Sequence, residues 1–172
     1  MSGGRHTEPL EAEALARDAV RRGEEELGQR HEATLGALLA LAWVRSHTSP
    51  AQCEQWIREI RDAIGDAVGR VHPLSWSAQH LLVLTLRTLG QWKEAEEAAR
   101  DLIASRTRHQ GTGHPHTLRI RCDLALVLHA AGQQQEAIAL ADEVLQESRQ
   151  VLGPQHPDAE RIRLDHQAIT SR

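Results

Sequence analysis

Gly111-Thr112-Gly113-His114-Pro115-His116-Thr117-Leu118 decides how this chain is read. The same signature returns at Gly153-Pro154-Gln155-His156-Pro157, and earlier at Gly69-Arg70-Val71-His72-Pro73 and Gly28-Gln29-Arg30-His31. The four histidines stand 41, 42 and 42 residues apart. A fixed period of this size marks a repeat architecture, in which each unit is one supersecondary element. The interior repeats too. Gly90-Gln91-Trp92-Lys93-Glu94-Ala95 matches Gly132-Gln133-Gln134-Gln135-Glu136-Ala137, and Glu11-Ala12-Glu13-Ala14-Leu15-Ala16 matches Glu136-Ala137-Ile138-Ala139-Leu140-Ala141. The interval of 41 implies one residue lost from the first inner turn, near Ser49-Pro50-Ala51.

Each unit reads as two helices. After His114-Pro115, Leu118, Leu124, Ala125, Leu126 and Leu128 form an apolar stripe of helical period. Proline at 73, 115 and 157 suits a first helical turn, where its missing N–H costs nothing. Gly90 and Gly132 suit a left-handed stop after the first helix, and Glu94 and Glu136 suit the positive end of the second. The expected helices are 8–27, 33–47 and 51–68, 74–89 and 92–108, 116–131 and 134–152, and 158–170. The repeats are 28–68, 69–110 and 111–152, flanked by an N-terminal helix and a C-terminal capping helix at 153–170, all in one domain.

Composition agrees. The 172 residues carry a net charge of −4 and four Trp, with no Phe and no Tyr. Ala and Leu dominate, and both favour helix over sheet. No apolar run is long enough for a transmembrane helix, and Met1–Leu10 lack the pattern of a signal peptide. Two cysteines, Cys53 and Cys122, make neither a disulfide framework nor a Cys-rich zinc site, so a reduced cytoplasmic protein is expected. The mildly acidic balance gives no electrostatic reason to expect nucleic acid or a membrane surface as partner. No nucleotide-loop, HExxH or GxSxG pattern occurs.

Leu124-Ala125, Leu128, Gly132, Glu136-Ala137 and Leu152-Gly153-Pro154-Gln155-His156-Pro157-Asp158 resemble the tetratricopeptide repeat (TPR) in its 42-residue, kinesin-light-chain-like form. The resemblance spans 8–170 and is strongest at 111–158. It departs from the family at Ser49, Cys53 and Asp123, and where Leu86, Leu128, Ala99 and Ala141 replace the usual aromatics. It implies an all-α, right-handed α-solenoid of stacked antiparallel helix pairs, about eight helices in all. It also implies a concave groove that takes a protein or peptide. The groove positions are then Leu39, Trp43 and Ser46; Ser77, His80, Leu84 and Arg87; Arg119, Cys122, Leu126 and His129; and Arg161. Arg87, Arg119 and Arg161 would suit an acidic partner, and Trp43 is the one aromatic expected to face it.

Two other readings stay open. His80, Cys122 and His129 share the predicted face and could form a metal- or thiol-dependent site. The terminal helices or the groove could support self-association; both terminal helices are charged and read as caps, which disfavours an open filament, while monomer and dimer both fit. The once-per-repeat histidines His31, His72, His114 and His156 lie too far apart for one ion and are expected to cap or pack each turn. No cofactor or catalytic set is expected.

Overall fold

The computed structural model describes residues 7–171, and among them every regular element is a helix. The order is α1 (Thr7–Glu26), α2 (Glu32–Ser46), α3 (Pro50–Val68), α4 (Pro73–Thr88), α5 (Trp92–Gln110), α6 (Pro115–Ala130), α7 (Gln134–Val151) and α8 (Pro157–Thr170). The helices expected from sequence are all present, with ends shifted by one or two residues.

The Gly-x-x-His signature acquires a mechanism. Gly69 takes φ 86°, ψ 155° and Gly111 φ 88°, ψ 162°, a region closed to residues with a Cβ. Three residues on, the histidine N–H donates to the glycine carbonyl at His31, His72 and His156, closing a turn at 3.2–3.3 Å. The histidine then caps the next helix. Its Nδ1 accepts the backbone N–H two residues ahead, from Ala33, Leu74, His116 and Asp158, at 3.1–3.3 Å. Such a cap satisfies one of the orphan donors of a helix start. An Nδ1 that accepts is unprotonated, which fixes the tautomer.

The inner turns use glycine differently. Gly90 (φ 74°) and Gly132 (φ 81°) are the left-handed stops that the sequence suggests. At the second, Gly132 N–H donates to the His129 carbonyl and Gln133 N–H to Leu128, the paired bonds of a Schellman motif; Gly90 and Gln91 repeat them on Arg87 and Leu86. The first pair has no glycine here. Thr48 and Ser49 N–H groups both donate to the Arg45 carbonyl, and Ser49 stays at φ −146°. The missing residue falls at the end of the first helix: α2 has 15 residues where α4 and α6 have 16.

The helices group into two compact units, the first ending at Thr85 and the second beginning at Leu86. In the first, α1 lies against α2 at a glycine: a Cβ on Gly23 would meet Thr34 Oγ1 at 2.7 Å and Thr34 Cα at 3.2 Å. Glu13 of α1 takes Arg45 Nε of α2 at 2.9 Å, and the Arg45 guanidinium lies 5.5 Å from the Trp56 ring of α3. Trp76 of α4 is buried. In the second unit, Leu118, Cys122, Val144 and Ile162 form a buried cluster joining α6, α7 and α8. Small residues stand at its helix crossings, with Ala125, Ala137 and Ala141 buried.

Candidate functional site

In the first unit, the open face of the first helices is built around Trp43. Its indole is 40% exposed. The His80 ring stands edge-on to it at 6.5 Å and the His47 ring lies tilted at 6.0 Å. The Trp43 carbonyl receives Ser46 Oγ at 2.8 Å and lies 2.8 Å from His47 Nδ1, which ties the end of α2. Ser77 is exposed, with its hydroxyl donated to the Pro73 carbonyl, and Leu84 is half-buried on the same helix as His80. Leu39 is a correction: it is buried, and its neighbour Ala40 takes the surface instead.

The second unit holds the remaining positions. Arg87 is half-buried, and its Nε lies buried without a hydrogen-bond partner. Arg119 is largely committed. Its Nη2 donates to Asp123 at 3.0 Å and its Nη1 to Asp165 of α8 at 2.9 Å. Burial works against the Arg119 charge, but the two carboxylates outweigh it and hold the guanidinium charged more firmly than usual. Arg119 therefore binds α6 to α8 rather than waiting for a partner, which corrects the expectation of three available arginines. Arg161 remains open: its side chain is 64% exposed, and Asp165 lies 3.6 Å away. Leu126 is half-buried.

Cys122 is a further correction. Only 1% of it is exposed, so it lies beneath the face rather than on it. Burial, with the Asp165 and Asp123 carboxylates adding to it, pushes its thiol up to about 12. A nucleophilic or metal-binding cysteine needs the opposite, an electropositive and accessible setting. His129 is hydrogen-bonded through Nδ1 to Gln134 Oε1 at 2.6 Å, and His80 packs on Trp43. The metal- or thiol-dependent reading loses its thiol.

The second helices carry a cleft that the sequence reading missed. It encloses about 810 Å³ between α5 and α7, over Leu124 of α6, with Ile103 and Leu140 on its walls. Arg100 bridges it to Glu136 at 2.8 Å, so its rim is largely self-neutralised. Exposed Ala104 and Ala139 on otherwise polar helix faces were the available signal.

Residues 74–146 match the family model described as tetratricopeptide repeat. Over those residues the chain is similar to the tetratricopeptide repeat. The fold recurs in solved structures. One is a protein from Podosopora anserina described as a kinesin light chain with nearly identical TPR-like repeats. It has a TM-score of 0.75 and 22% identity over 96% of this chain and 79% of that one. A point variant of that protein gives 0.76, again at 22% identity, over 96% and 78%. BtubC (BKLC) from P. vanneervenii gives a TM-score of 0.79 at 14% identity, over 94% of this chain and 65% of that chain. At such identities the likeness concerns the fold: an all-α repeat of antiparallel helix pairs, as in TPR solenoids. No curated protein matches the sequence. TPR folds generally mediate protein–protein interaction. Among the described residues no helix is long and apolar enough to cross a membrane.

Proposed function

We propose that this chain is a protein-interaction module whose first helices bind a peptide or a segment of a partner protein. The observation that carries this reading is Trp43, a large aromatic left open on a helix face and bracketed by two imidazoles. Exposed aromatics of this kind anchor interfaces, because they bury a large area at low entropic cost. In the second unit, taken by itself, Arg161 is open on α8 and suits an acidic side chain or carboxylate. The two free, buried cysteines support a reducing, cytoplasmic setting.

The test uses an array of synthetic peptides pairing Leu or aromatic residues with Asp and Glu. Peptides selected on the wild-type chain are measured against Trp43→Ala and Arg161→Ala. An aromatic anchor predicts a loss of about tenfold or more for Trp43→Ala. Arg161→Ala, read with the acidic peptides, is expected to give a salt-sensitive loss of its own. Selected peptides that bind Trp43→Ala as tightly as wild type remove the assignment.

A further inference from the structure

We infer that the chain forms an antiparallel, two-fold dimer through the outer face of α1. The internal repeat exposes this face. Glu11-Ala12-Glu13-Ala14-Leu15-Ala16 of α1 aligns with Glu136-Ala137-Ile138-Ala139-Leu140-Ala141 of α7. In α7, Ala137 and Val144 are fully buried, because that helix has its own first helix, α6, packed on it. The α1 equivalents are Ala12 and Ala19, and both are exposed, with Leu15 between them 73% exposed. The described residues supply α1 with the α2 side of its packing only, through Gly23 on Thr34 and Glu13 on Arg45.

Three observations select a second copy as the occupant. First, Ala12, Leu15 and Ala19 make a small–large–small stripe with its two alanines seven residues apart, two helical turns. Turned antiparallel about an axis beside Leu15, the stripe fits itself. Each Ala12 faces Ala19 of the other copy, the axes approach closely, and each Leu15 enters the gap between them. Second, the stripe is flanked by charges of opposite sign at its two ends, Glu11 and Arg22, and the antiparallel turn sets them two residues, about 3 Å, out of register, a gap that an arginine side chain spans. Arg22 already pairs with Asp18 of its own helix at 2.8 Å and stays within reach. Third, the other terminal helix is not a mate. In α8, Glu160, Gln167 and Thr170 stand where α6 buries Leu118, Ala125 and Leu128. A head-to-tail contact of α1 on this face of α8 would meet Glu160, Gln167 and Thr170 in place of an apolar surface, so the contact closes on itself.

The experiment is sedimentation equilibrium of the full chain from micromolar to millimolar concentration. Wild type is expected to dimerise and Leu15→Glu to stay monomeric with the same helical circular dichroism. Leu164→Glu, a change at another exposed leucine, on α8, is expected to leave the dimer intact. Geometry has its own readout. Under mild oxidation a mixture of Ala12→Cys and Ala19→Cys chains forms the mixed disulfide dimer, while neither variant alone does so efficiently. Reversal of one charge, Glu11→Arg, is expected to weaken association, and adding Arg22→Glu to restore it. A wild-type chain that is monomeric throughout overturns the inference. So does a dimer indifferent to Leu15→Glu, or cross-linking of Ala12→Cys with itself in preference to the mixture. Peptide binding through Trp43 is read separately and can fail or hold without affecting this result.

Discussion

At the scale of single residues, the recurring histidine is the most informative group. Its spacing of one per repeat suits a capping or packing role in each turn, and its Nδ1 accepts a backbone N–H there. The requirement is then an acceptor at that position and nothing more. His114→Ala should cost about 1 kcal/mol, while His114→Asn or His114→Ser should keep most of the stability, as measured by the urea midpoint. Cys122 tests the interior. Its thiol is raised above the ordinary 9.0 by burial, so the fold favours the protonated form. The stability this contributes is whole below pH 9 and is lost as pH rises toward 12. Wild type should therefore lose stability over that window more steeply than Cys122→Ala. Cys122 should also resist alkylation in the native protein at pH 8 and react in guanidinium. Rapid native alkylation would contradict the burial described.

At the scale of the element, glycines separate by what surrounds them. Gly132 sits at φ 81° in the stop between α6 and α7, so Gly132→Ala forces a side chain into a left-handed conformation and should cost about 1 kcal/mol. Gly36 lies inside α2, and a Cβ there would meet only Leu74 Cδ1 at an ordinary 3.9 Å. Gly36→Ala should accordingly stabilise by about 0.5–1 kcal/mol, through helix propensity alone. Gly23→Ala is the opposite case. Its Cβ would press on Thr34 Cα at 3.2 Å, and backbone cannot step aside, so α1 must move off α2. Thermal melts of the three variants should rank Gly36→Ala above wild type and both others below.

At the scale of the molecule, repeat proteins owe their stability to interfaces between neighbours, and an end must be closed. The first and last described helices differ in what they turn outward. α8 replaces core leucines by Glu160 and Thr170, whereas α1 keeps Leu15 and two alanines outward. Removing 153–172 strips Ile162 from the cluster of Leu118, Cys122 and Val144 and takes Asp165 from Arg119. That truncation should lower the melting temperature and produce binding of an apolar dye. An unchanged melting curve would show that α8 carries no share of the unit's stability.

Period, punctuation and composition were enough to read eight helices and the TPR resemblance. Glycine, proline and helical periodicity act through neighbouring residues, and their effects survive without knowledge of the rest of the chain. The face of each helix was less legible. Leu39 and Cys122 fell beneath the surface that helical spacing assigned to them, because a small rotation of a helix moves a residue from rim to core. Of the two carboxylates that hold Arg119, Asp123 stands four residues on and was legible, while Asp165 lies more than forty residues away, and pairing across such a distance leaves no local trace. Where helices start and stop is therefore written in the local sequence. Which side chains remain open to a partner is settled by tertiary packing, since burial and charge neutralisation depend on what each helix meets.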